Sequence, residues 1–186
     1  MLKLQALDNT SVEIVRMVES WGSRCYCWLD CSVGMENWVQ ERLPKYTYKE
    51  RDAVGHVQPL MIRLDRTTNR IRNFQVILAS PPLPMLGPIP SPIKRMMGIP
   101  QFDVSAWPKD QEGIPGSIAC DLRVGWLSSH ELSILVTDEI CHATTECMLN
   151  PTVSFLFDDR ETLVGIVMRS LSRTDKVIID HLPPSV

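Results

Sequence analysis

Apolar residues recur along the chain in two rhythms, one of every second residue and one of every third or fourth. The first is the signature of a half-buried strand, the second of an amphipathic helix. Alternation is clear in Leu60, Ile62 and Leu64, and again in Phe74, Val76 and Leu78 after the turn-like TTNR, which predicts a hairpin. LKLQAL near the start, RCYCWLDC at 24 to 31, IACDLRVGW at 118 to 126, ELSILVT at 131 to 137 and TVSFLF at 152 to 157 also read as strands. In RCYCWLDC the alternation sets Cys25, Cys27, Leu29 and Cys31 on one face, with Tyr26, Trp28 and Asp30 on the other. In IACDLRVGW, Ile118, Cys120, Leu122, Val124 and Trp126 share a face.

The slower rhythm predicts helices. Thr10 and Glu13 have capping-box spacing ahead of Val12, Ile14, Val15, Val18 and Trp21, with Gly22 to end the turn. Ser32 caps a short helix that Pro44 closes, followed by a polar loop to residue 56. DEICHATTECML has Ile140, Thr144, Cys147 and Met148 on one side, so that His142 and Glu146 form an exposed polar pair. Asp158 and Glu161 repeat the capping spacing before RETLVGIVMRSLSR, with Leu163, Ile166, Val167 and Leu171 on its face. KVIIDH then reads as a last strand.

Residues 81 to 116 break both rhythms. They hold nine of the fourteen prolines, along with Leu, Ile, Met, Phe and Trp. Proline removes a donor and fixes φ, so neither a helix nor a central strand is expected through this stretch, only a long loop that is functional, disordered, or folded back over the sheet with its apolar residues filling a gap. No internal repeat stands out at a fixed period. The expected architecture is α+β: a single domain over 1–186, with a mixed sheet of about six to eight strands, flanking helices and one proline-rich loop.

The overall composition is that of an ordinary globular chain, 44% hydrophobic and 22% charged, with a net charge of −3. No basic field supports a nucleic-acid partner. No apolar run is long enough for a membrane helix, and no export signal precedes Asp8 and Glu13, so a cytoplasmic chain with reduced thiols is expected.

Chemistry has few footholds. Cys25, Cys27 and Cys31 fall within seven residues, but a strand would spread them too far apart to close on one ion. Buried filler is the expected role of Cys25 and Cys27. Cys31 stands at an expected strand-to-helix junction, where a helix dipole would favour thiolate; with His181 as base it would be a hydrolase nucleophile. Strand-end carboxylates Asp30, Asp138, Asp158, Asp159 and Asp180 would suit a Mg²⁺ hydrolase if parallel strands brought them together, although Asp138 and Asp158 also suit helix caps. Phosphate-loop, nucleophile-elbow and zincin motifs are absent, and no cofactor is implied.

The most unusual composition is in the proline-rich loop: Lys94, Arg95, Met96, Met97, Phe102 and Trp107 combine cations, adaptable thioethers and aromatics. The expected function is therefore a non-catalytic binding factor for another protein, of inhibitor, immunity-protein or adaptor type. The alternatives are a thiol or Mg²⁺ hydrolase and a structural subunit of a larger assembly. The partner and the oligomeric state are not fixed by the sequence.

Overall fold

The computed structural model describes residues 1–10, 13–21, 26–34, 43–50, 59–78, 83–88, 94–136 and 143–180. In chain order the elements are β1 (Lys3–Asp8), β2 (Ile14–Trp21), β3 (Tyr26–Val33), β4 (Lys45–Glu50), β5 (Leu60–Leu64), β6 (Ile71–Leu78) and β7 (Lys94–Met97). They continue with β8 (Ile99–Asp103), β9 (Ser117–Cys120), β10 (Arg123–Ser128), β11 (Glu131–Leu135), β12 (Thr145–Asn150), β13 (Val153–Phe157), β14 (Leu163–Met168) and helix α1 (Arg173–Asp180). The expected α+β class is therefore overturned. Among the described residues this is an all-β fold, about 60% strand and 6% helix.

Two six-stranded sheets form the body. One runs β2-β3-β6-β5-β4-β9 and the other β10-β11-β14-β13-β12-β7, while β1 and β8 make a separate antiparallel ribbon. All pairings are antiparallel except β9 on β4 and β7 on β12. One apolar cluster joins the inner faces of both sheets. Phe74 of β6 meets Phe155 of β13 edge to face at 5.8 Å, and Phe102 of β8 sits 6.2 Å from Phe155 and 6.1 Å from Phe157. Each fully buried side chain of this kind is worth about 1.5–3 kcal/mol.

The expected helices became strands for identifiable reasons. VEIVRMVESW carries both rhythms at once. Its β-branched residues settle the choice, because they are stiff at χ1 and pack well on a pleated surface. Val15, Met17 and Glu19 are exposed, whereas Ile14, Arg16 and Val18 turn inward. Thr10 does not cap a helix: its N–H and hydroxyl both donate to Asp8 Oδ1, closing a turn after β1. LVGIVM is apolar at every position because both faces of β14 are buried, a pattern shared by buried helices and central strands. Asp158 accepts from the N–H groups of Arg160 and Thr162 and so closes a hairpin turn. The expected loop from 44 holds β4, the helix expected through 145–149 is β12, and Ser32 and Val33 belong to β3. The remainder of the short helix after Ser32 lies outside the described residues. IACDLRVGW divides into β9 and β10, which belong to different sheets.

KVIIDH errs in the other direction, since residues through Asp180 are helical. Here the reciprocal cap is real: Ser172 N–H donates to Asp175 Oδ2 (2.9 Å), and Asp175 N–H to Ser172 Oγ (3.0 Å). The helix lies against β2 and buries Ile179. Asp180 accepts from Trp126 Nε1 at 2.8 Å, and Lys176 sits 3.8 Å over the same indole.

Among its described residues the proline-rich connection is not one unbroken loop: it supplies β7 to one sheet and β8 to the ribbon, and β9 follows directly after it in the other sheet. Residues 84–86 also pair with β10: Trp126 N–H donates to Pro84 O (2.8 Å) and Leu86 N–H to Trp126 O (2.7 Å). Of its described prolines, Pro84 lies along the edge strand β10 and Pro100 in the two-stranded ribbon, where a missing donor costs little. No helix of the described residues is long and apolar enough to cross a membrane.

Candidate functional site

The structure separates the six connection residues into two groups. Phe102 is fully buried in the core, and Trp107 is buried against the far sheet. The indole makes edge contacts with Tyr46 (5.3 Å) and Tyr48 (5.1 Å), and its Nε1 donates to Gly116 O at 3.1 Å. These two are packing residues, not a recognition surface. Met96 is half-buried and faces the core, its Cα paired with that of the buried Cys147. Lys94, Arg95 and Met97 are exposed.

Those three ride on β7, the last strand of its sheet. Lys94 N–H donates to Thr144 O and Gly98 N–H to Met148 O, both at 3.0 Å. In a parallel ladder alternate residues bond the same neighbour, so Lys94, Met96 and Gly98 face β12 while the amides and carbonyls of Arg95 and Met97 point the other way. Among the described residues no strand takes up that outer side. Gly98 ends the strand with φ +146°, a conformation side chains rarely adopt, and a Cβ there would lie 2.9 Å from Asp8 O. The kink sends β7 to the sheet and β8 to the ribbon.

Beside this edge lies a buried carboxylate. Glu146 on β12 is 2% exposed. Arg169 donates to its Oε1, and Arg95 Nε to Oε2 at 3.0 Å. Arg169 also donates to Ser154 Oγ (2.6 Å) and lies 3.4 Å from Glu131. Burial pushes the Glu146 carboxyl up, but the Ser154 hydroxyl and the two guanidinium groups outweigh it and hold the pKa below its ordinary value. Glu146 is therefore no exposed partner of His142, which itself lies outside the described residues. The missed signal was the exchange of a helix for a strand, which put Glu146 and Cys147 on opposite faces.

Cys31 lies within β3 and not at a helix start. It is fully buried, and burial, with the Asp30 charge adding, pushes its thiol up to about 12. A thiol in that state is protonated at neutral pH, the opposite of what a nucleophile requires. Cys27 and Cys147 are buried with thiols pushed to about 12 in the same way, and Cys147 donates to Gly98 O at 3.3 Å. Cys25 and the base expected for Cys31, His181, lie outside the described residues.

Among the described residues the aspartates do not converge, and no group of three or more His, Cys, Asp or Glu side chains could hold a metal. Asp30 sits on the outer face of β3, taking hydrogen bonds from Asn73 Nδ2 (2.7 Å), Gln75 Nε2 and Ser32 Oγ (3.2 Å). Arg63 braces Asn73 and Gln75 from β5 at 2.8 and 2.7 Å. Asp158 is spent on its turn, Asp159 is exposed on the same turn, and Asp180 holds Trp126. Asp138 lies outside the described residues. The parallel strands that would have aligned these carboxylates are replaced by antiparallel ladders.

No protein-family model matches the chain, and no curated protein matches it.

Proposed function

We propose that this chain is a non-catalytic binding protein whose recognition element is the β7 edge, to which a partner protein adds an extended segment. The supporting observation is the outward-facing backbone of Arg95 and Met97, flanked by the exposed side chains of Lys94, Arg95 and Met97. Main-chain hydrogen bonds along such an edge supply affinity, and the alternating side chains supply choice. Two cations beside one thioether favour an acidic segment with an apolar anchor. Buried, protonated thiols fit a reducing compartment, so we place the protein in the cytoplasm.

The test is affinity capture followed by titration of the captured protein. Met97→Asp is expected to weaken binding at least tenfold, and Ser117→Asp on the β9 edge to leave it unchanged. Equal affinity of wild type and Met97→Asp for every captured partner overturns the reading.

A further inference from the structure

The two sheets repeat one another. The order β2-β3-β6-β5-β4 in the first is the order β10-β11-β14-β13-β12 in the second, and each is extended at the same end by a parallel strand, β9 on β4 and β7 on β12. The correspondence extends to single residues. Partner pairs Cys31–Phe74 and Ile62–Phe74 match Ile134–Ile166 and Phe155–Ile166. A bulge interrupts both central ladders at the same step: Arg63–Asn73 is followed by Leu64–Ile71, and Leu156–Gly165 by Phe157–Leu163. One extra residue, Arg72 or Val164, lies between the partners in each.

The turns before these bulges are also alike. Asp65 accepts from the N–H groups of Thr67 (3.0 Å) and Thr68 (2.9 Å), as Asp158 does from those of Arg160 (2.9 Å) and Thr162 (2.8 Å). Each turn then passes through a left-handed non-glycine residue, Asn69 at φ 53° and Glu161 at φ 61°. That conformation is uncommon for such residues.

The third correspondence is reciprocal. Asn69 O of the first turn accepts from Phe102 N–H of β8 (3.1 Å), and Glu161 O of the second from Leu4 N–H of β1 (2.8 Å). Leu4 and Phe102 are themselves partners in the β1–β8 ribbon. The bridges Lys3–Thr162 and Arg70–Gln101 complete the exchange. A two-fold relation that swaps the sheets must therefore pass between Leu4 and Phe102.

We infer that the chain is a tandem duplication of one β unit, residues 3–78 and 99–168, in which each copy lends its first strand to the turn of the other across a pseudo-two-fold axis at Leu4 and Phe102. The sequence hides this because the spacing drifts: Arg70 corresponds to Thr162, but Arg16 to Val124. β7, which lies between the two units, and β9, which lies within the second, occupy matching edge positions in the two sheets. Met97 beside Met148 occupies the place of Ser117 beside Thr47, so of these two edge positions only the one on the second sheet carries a large apolar side chain.

The test exchanges the turns within the full chain. Residues 65–70 are replaced by DDRET from 158–162, and in a second variant 158–162 by DRTTNR. Both chimaeras are expected to melt within about 5 °C of wild type. The amides of Phe102 and Leu4, which must bond to the grafted carbonyls, are expected to keep their slow hydrogen exchange. Tenfold faster exchange at Phe102 in the first chimaera or at Leu4 in the second, or failure to fold, overturns the equivalence. Glu161→Asn transfers one residue only, and is expected to raise Tm because asparagine takes the left-handed conformation more readily; a lowered Tm contradicts the match.

Discussion

Trp107→Ala removes the residue that fixes the proline-rich connection to the far sheet. Its indole is 3% exposed, in edge contact with two tyrosines at 5.3 and 5.1 Å, and donates to Gly116 O at 3.1 Å. Truncating a buried aromatic to alanine costs about 3–5 kcal/mol in lost transfer energy and residual cavity. Each edge contact adds about 0.5–1.5 kcal/mol beyond buried area, and part of that is contained in the first figure, so we expect a loss of about 4 kcal/mol. Against a typical total of about 5–15 kcal/mol this is severe. At about 2–4 °C per kcal/mol it lowers Tm by about 8–16 °C. Urea unfolding followed by far-UV circular dichroism measures it directly. A loss below about 1 kcal/mol would refute the claim that the connection is part of the core.

Four further outcomes follow from the same geometry. Glu146→Gln leaves Arg169 without its buried carboxylate and should cost about 3 kcal/mol, whereas Arg95→Gln, at a side chain 72% exposed, should cost less than about 1 kcal/mol; chemical denaturation separates the two. The turn N–H groups of Thr68 and Thr67 hold the Asp65 carboxyl down to about 2, so its stabilisation is present above about pH 4 and lost as pH falls towards 2. The Tm gap between wild type and Asp65→Asn should therefore close across that window. Iodoacetamide at pH 7.5 should leave Cys31 unmodified in the native chain and label it in urea; native labelling would show a thiolate that the packing does not allow.

Strands whose apolar residues fit only the alternating rhythm were legible in the sequence, as at Leu60–Leu64 and Ile71–Leu78, whereas β2, with one wet face but residues that fit both rhythms, was not. Segments buried on both faces were not. LVGIVM offers no period, and its choice between helix and strand depends on neighbours that local sequence does not show. Aspartate caps misled for a related reason: a carboxylate two to four residues before free N–H groups closes a hairpin at Asp158 as well as it opens a helix. Of the candidate site, Lys94, Arg95 and Met97 were legible as exposed and unusual. Phe102 and Trp107 were misread as surface, because a stretch dense in proline can still run along sheet margins and place its aromatics inside. Glu146 was missed because its burial follows from the strand assignment.

Residue-resolved amide hydrogen exchange of the isolated chain tests the open edge most directly. The account predicts slow exchange at Lys94, Met96 and Gly98, whose N–H groups face β12, and fast exchange at Arg95 and Met97, whose N–H groups face outward. Slow exchange at Arg95 and Met97 in the absence of any partner would mean that this edge is already covered, and would contradict it.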